Sequence, residues 1–104
     1  MLHDTKHDLS QDSQDLLNAA DYIDKNGWCQ EVTRLGKSVC LWGSILAVTD
    51  GLGKLYDSAP RANALYSKVS LHLGIMPAPW NDARGRTKDE VTALLREVAL
   101  KSKE

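Results

Sequence analysis

The chain has 104 residues, 42% of them hydrophobic and 26% charged, with a formal net charge of -1, the profile of one small globular domain. That charge argues against a dedicated nucleic-acid binder, and no apolar run approaches the roughly 18 residues needed to span a bilayer. The N-terminus, MLHDTKHDLSQDSQ, lacks the basic-then-apolar pattern of a signal peptide, so a cytoplasmic location is expected, with Cys29 and Cys40 as free thiols.

Surface scaling gives about 5,800 Å² exposed when folded against about 16,700 Å² extended, enough burial for one modest core. Phe is absent, so Trp28, Trp42 and Trp80 are expected to be large pieces of that core or of an interface. Charge is uneven. Residues 1–26 hold six Asp against Lys6 and Lys25, leaving the remainder net basic. The acidic stretch reads as a solvated face, and a basic partner is the alternative.

Residues 1–9 are polar and expected to be a flexible N-terminus, with a single helical domain over 10–104. Ser10 or Ser13 can cap a first helix whose apolar face is Leu16, Leu17, Ala20 and Ile23. Asn26-Gly27 stops it, since both tolerate left-handed backbone. The β-branched residues on either side of Gly36-Lys37 predict a short hairpin around 30–40. The run from Val39 is apolar almost all round, so a buried central helix is expected from there to near Asp50, with Ser38 as its cap and the other helices around it. Gly51 and Gly53 close it.

Ser58-Ala59-Pro60 starts the next helix, with Pro in the first turn. Its inward face is Ala62, Leu65, Tyr66, Val69 and Leu73, and Gly74 ends it. Pro77 and Pro79 are expected to impose an extended loop, because the residue before each is pushed out of helical backbone. Thr87 and Glu90 have the spacing of a capping box, and Val91, Leu94, Leu95 and Val98 form the stripe of a last helix. The fold class is therefore mainly α, a compact four-helix domain with room for the hairpin.

Four blocks carry a resemblance: AADYIDKNGWCQ at 19–30, SVCLWGS at 38–44, PWNDARGRTKDEV at 79–91 and ALLREVA at 93–99. Together they resemble a family of small uncharacterised domains from actinobacteria, other bacteria and their phages. The matching positions are Gly27, Trp28, Gln30, Val39, Cys40, Gly43, Ser44, Trp80, Asn81, Asp82, Gly85, Arg86 and Thr87. The family pattern often has a small residue after Gln30, where this chain has Glu31. The segment between Asp50 and Pro60 has no match. The resemblance implies a fold and a cytosolic or phage setting, and no reaction.

The richest polar cluster is Trp80, Asn81 and Asp82 followed by Arg84 and Arg86. Loop and cap chemistry accounts for all of it, and a recognition surface is the functional reading. Cys40 is the best candidate for reactivity. The first turn of a helix stabilises a thiolate, and His72 and Asp82 follow in the order of a Cys-His-Asp arrangement. Its apolar surroundings favour an inert core thiol instead.

His3 and His7, with Asp4 and Asp8, have helical spacing for a metal but lack a third fixed ligand. Cys29 and Cys40 lack the partners of a zinc site. Gly51-Leu52-Gly53-Lys54 lacks the spacing of a phosphate loop and reads as a helix stop. Neither a metal nor a cofactor is expected.

The favoured function is a non-enzymatic protein-binding module, in phage hands an inhibitor of a host defence or housekeeping system. The partner is another protein, and a homodimer is compatible. A small thiol enzyme centred on Cys40 is the main alternative, and a regulatory nucleic-acid binder using Lys and Arg of 84–103 is the third.

Overall fold

Each helix is built around the apolar stripe that its sequence writes, and the described residues, 10–102 of a computed structural model, are mainly α. In chain order the elements are α1 (Gln11–Asn26), β1 (Arg34–Leu35), β2 (Ser38–Val39), α2 (Leu41–Val48), α3 (Pro60–Leu73), α4 (Pro77–Asn81) and α5 (Lys88–Lys101). A 3-10 turn at Tyr56–Ser58 precedes α3.

Helix α1 starts where Ser10 Oγ accepts the Ser13 N–H at 3.1 Å, which satisfies one of the free donors of a first turn. Ser10 Oγ also donates to the Ser102 carbonyl, and Ser13 Oγ donates to the Ala99 carbonyl at 2.6 Å. Both bonds tie the start of α1 to the end of α5. Leu16, Ala19, Ala20 and Ile23 are fully buried. Leu17 lies at the edge of the core rather than inside it. The chain leaves α1 through Gly27 at φ +101, a backbone that side chains rarely adopt.

The hairpin forms as predicted, with Arg34 opposite Val39 and Leu35 opposite Ser38 across the Gly36-Lys37 turn. Gly36 has φ +63, the left-handed geometry that two-residue hairpin turns favour. Val39 also bridges Trp28: the Cys29 N–H donates to its carbonyl, and its own N–H donates to Gly27, both at 3.1 Å. Val39 is therefore strand, not helix. The cap of α2 is Cys40, not Ser38: its sulfur accepts the Gly43 N–H at 3.4 Å.

Helix α2 packs on α1, α3 and α4, whereas α5 packs chiefly on α1. It is thus flanked by three helices and is not encircled by the rest. Leu41, Ile45 and Leu46 are buried, while Trp42, Ala47 and Val48 are only half-buried. Gly43 sits against the hairpin loop. A Cβ there would collide with the Thr33 carbonyl oxygen and press on Val39.

No side chain of the 3-10 turn caps α3. Asp50 does so from the end of α2, accepting the Ala62 N–H at 2.8 Å and placing negative charge at a helix N-terminus. Ala62, Leu65, Tyr66 and Val69 face inward, and Gly74 closes the helix at φ +77.

Residues 77–81 form a short helix, not the extended loop expected from the two prolines. Proline is costly in a helix because it lacks an N–H and clashes with the preceding turn. Both prolines lie within the first three residues of α4, where N–H groups have no helical acceptor in any case. Met76, before Pro77, does take the extended backbone that proline demands.

Thr87 and Glu90 complete the capping box of α5, with Glu90 Oε1 accepting the Thr87 N–H at 2.9 Å and Thr87 Oγ1 accepting the Glu90 N–H at 3.2 Å. The predicted stripe Val91, Leu94, Leu95 and Val98 is buried in the same core cluster as the other helices.

The acidic face of α1 is paired inside the molecule. Arg61 holds Asp12 at 3.0 Å and Asp15 at 2.6 Å, Lys68 holds Asp12 at 3.0 Å, and Arg96 bridges Asp21 and Asp24. Burial pushes the Asp12 carboxyl up, but Lys68 and Arg61 together outweigh it and hold it below its ordinary value.

Two substitutions separate local from tertiary control in a urea or thermal melt. Thr87→Ala should cost about 1 kcal/mol through the lost cap. Gly43→Ala should also destabilise, by about 1–3 kcal/mol, because overpacking outweighs the roughly 1 kcal/mol that alanine gains in helix propensity. A Gly43→Ala protein more stable than the parent would show that α2 does not press on the Thr33 carbonyl.

Candidate functional site

The polar cluster expected from sequence divides in the structure. Asn81 ends α4 with only 1% of its surface exposed, and its side chain uses both ends of the amide. Its Oδ1 accepts Trp28 Nε1–H at 2.8 Å and the Leu41 N–H at 3.1 Å. Its Nδ2 donates to the Cys29 carbonyl at 3.3 Å and to Asp82 Oδ1 at 2.9 Å. Gln30 adds two bonds from its Nε2, to the carbonyls of Asn81 (3.0 Å) and Ala83 (3.1 Å). Asn81 therefore clamps the Trp28–Gln30 segment and the first turn of α2 onto α4.

Arg86 turns the other way. Its guanidinium lies 3.9 Å from the centre of the Trp80 ring, its Nε donates to the Trp80 carbonyl, and it pairs with Glu90. Trp80 contributes to a shallow groove with Glu90, Ala93, Leu94 and Glu97. Arg84 is exposed and makes no hydrogen bond or ion pair among the described residues. Of the five predicted binding residues, only Asn81 and Asp82 line the cavity beside the hairpin loop.

That cavity has a volume of about 360 Å³. Its lining includes Cys40 and Trp42 of the α2 start, Tyr56, Tyr66 of α3, and Met76 and Ala78 of the α4 start. Glu31, Val32 and Thr33 close it from the hairpin loop, beside Asn81 and Asp82. Trp42 organises the aromatic side: Tyr66 meets it edge-on at 5.3 Å and Tyr56 tilts against it at 5.5 Å, separations typical of favourable ring pairs. Tyr66 is fixed by its hydroxyl, which accepts the Ala78 N–H at 2.9 Å.

Val32, Tyr56 and Met76 are unusually exposed for apolar residues, Tyr56 at 63% and Met76 at 54%. Leu35, Leu55 and Ile75, close to them in sequence, are exposed as well. The cavity is therefore lined in part by exposed apolar side chains.

Glu31 has φ +72, the only positive φ outside glycine among the described residues. A side chain there costs about 1–2 kcal/mol. The strained turn is held by the Glu31 N–H, which donates to Asp82 Oδ1 at 2.8 Å.

Cys40 is half-buried at the cavity wall, not sealed in the core; the buried cysteine is Cys29. Burial raises the Cys40 thiol above its ordinary value, although the Gly43 and Trp42 N–H groups pull the other way. Burial likewise raises Cys29. His72 is not part of this site. Its Nε2 pairs with Glu97 at 2.5 Å, between α3 and α5. The structure brings Cys40 and Asp82 to one cavity but leaves His72 elsewhere.

Among the described residues, no three His, Cys, Asp or Glu side chains group as metal ligands. His3, Asp4, His7 and Asp8 lie outside the described residues. Gly51-Leu52-Gly53-Lys54 forms the turn after α2, with the Gly51 N–H donating back to Leu46.

A model described as a family of unknown function, DUF6197, matches residues 8–101. The chain belongs to that family. No curated protein and no solved structure matches it. The family match spans the Trp28–Gln30 segment, α2 and α4, so every element of the cavity falls within it.

Sequence reasoning missed Tyr56, Tyr66, Met76 and the Glu31–Thr33 loop as site residues. Tyr66 reads as core, because it sits on the apolar stripe of α3 and is buried there, although it also lines the cavity.

Two outcomes check this geometry. Asn81→Ala should cost about 3 kcal/mol or more in a chemical melt, because it leaves Trp28 Nε1–H, the Leu41 N–H and the Cys29 carbonyl without their partner. A loss below 1 kcal/mol would mean that the clamp is not made. In native protein at neutral pH, iodoacetamide should modify Cys40 ahead of Cys29, and both more slowly than a cysteine in a free peptide, since little thiolate forms when the pKa is raised. Preferential labelling of Cys29 would reverse the placement of the two thiols.

Proposed function

We propose that this domain is a non-enzymatic protein-binding module that docks a partner protein on the exposed apolar residues that line the aromatic cavity. One observation carries the reading: Val32, Tyr56 and Met76 line the same concave site yet remain exposed. Exposed apolar surface gathered at a cavity is a mark of an interaction site, whereas scattered single residues are ordinary.

The thiol reading has less support. The cavity offers Cys40 no imidazole, and burial keeps the sulfur protonated, whereas a catalytic cysteine needs a base or a lowered pKa. The nucleic-acid reading also weakens. Arg86, Lys88 and Arg96 are each paired with a carboxylate, so among the described residues of 84–103 only Arg84 and Lys101 remain as unpaired cations to meet phosphates. No helix among the described residues is long and apolar enough to cross a membrane. A cytoplasmic setting fits that finding and the default for a chain with two free thiols. In a phage, such a module would act as an inhibitor occupying a surface of a host defence or housekeeping protein.

The test is capture of a partner from the source cell by tagged protein, run beside a Tyr56→Ala/Met76→Ala variant. Both side chains are exposed, so the variant should match the parent's stability within about 1 kcal/mol. A stoichiometric partner is expected with the parent and lost with the variant. The same partner on both proteins, or none on either, would count against the reading.

A further inference from the structure

The polar lining of the cavity has one sign. Its two acidic lining residues are Glu31 and Asp82, and no Lys, Arg or His is among the lining residues. Neither carboxylate is neutralised from within. Asp82 uses Oδ1 to hold the Glu31 N–H and Asn81 Nδ2, and its Oδ2 accepts no hydrogen bond among the described residues. The Glu31 side chain makes no hydrogen bond or ion pair among them either. On the acidic face of α1, by contrast, Asp12, Asp15, Asp21 and Asp24 all have a guanidinium or ammonium partner. Glu31 also sits at φ +72, where its backbone would be easier without a side chain. Strain of this kind gathers at binding sites.

The same cavity is lined by Trp42, Tyr56 and Tyr66 and by Met76. Ring faces carry negative potential and attract cations, Trp most strongly. Two unpaired carboxylates beside electron-rich rings repel phosphate and carboxylate and favour a cation with an apolar stem.

We propose that the cavity is a receptor for a basic side chain, arginine before lysine, presented by the partner protein. The methylene stem lies along the apolar lining, as such stems do on apolar surfaces. The planar guanidinium can stack on a ring and meet a carboxylate edge-on, which a compact ammonium cannot do. The cavity volume of about 360 Å³ falls at the lower end of the ligand-pocket range, roughly 300–1,000 Å³. This inference rests on the docking reading above and names the chemistry of its anchor.

The test uses fluorescein-labelled heptapeptides in which two leucines flank a central arginine, lysine, citrulline, leucine or glutamate, with binding followed by anisotropy. Arginine should bind at least tenfold tighter than citrulline, its neutral isostere, with lysine between them and glutamate weakest. Asp82→Asn and Glu31→Gln keep side-chain shape, and Asp82→Asn also keeps the oxygen that holds the Glu31 N–H. In the double variant, with an unchanged melt, the arginine preference should shrink to threefold or less.

Citrulline binding as tightly as arginine, a preference untouched in the double variant, or no arginine binding at millimolar peptide would each overturn the proposal. If leucine and citrulline peptides bind as well as arginine and lose binding in Tyr56→Ala/Met76→Ala, the cation receptor fails while the apolar docking site stands.

Discussion

The rest of the site depends on one buried amide. Asn81 ends α4 where the first turn of α2 and the Trp28–Gln30 segment converge on it, and its carboxamide bonds to both. A buried amide is tolerated only when its donors and acceptors are met, and an unmet one costs about 1–3 kcal/mol. Here the oxygen accepts twice and the nitrogen donates twice. No aspartate, leucine or glutamine of similar size reproduces that pattern at the same reach, so the position is restricted by hydrogen bonding more than by volume.

The clamp sets what lies next to it. By fixing α4 against α2, it brings Met76 and Ala78 into one cavity with Cys40 and Trp42, and the Ala78 N–H bonds to the Tyr66 hydroxyl. By placing Asp82 immediately after the clamp, it gives the strained turn at Glu31 an acceptor. Gly43 performs the complementary task, because only a residue without Cβ lets α2 approach the Thr33 carbonyl. The cavity is thus the space that remains when a short helix, a helix start and a hairpin loop are held at fixed distances.

Electrostatics follow the same division. The carboxylates of α1 neutralise cations from α3 and α5, and these partly exposed pairs contribute modestly to stability, about 0–1 kcal/mol each. The cavity carboxylates have no such partners. A chain of net charge -1 therefore pairs the acidic face of α1 internally and keeps a small recess lined by acidic and aromatic residues.

Much of the fold was legible because its causes are local. Leu94 and Leu95 announce α5 by spacing, Thr87 and Glu90 announce its cap, and Gly36 and Gly74 mark turns that require positive φ. Where α2 begins was misjudged by two residues, since Val39 is apolar in a strand and in a helix alike and only its pairing with Trp28 decides between them. Helix α4 was hidden because proline is read as a breaker, although in a first turn its missing N–H is not needed. Asn81 and Asp82 were visible as a polar cluster, but their two roles were not, because burial separates them and burial is a tertiary quantity. The sequence by itself determined the helices, their caps and the apolar faces they hide. Only the tertiary structure decided the cavity, since residues 31–33, 40–42, 56, 66 and 76–82 are distant along the chain, and no periodicity or spacing records which of them will share one space.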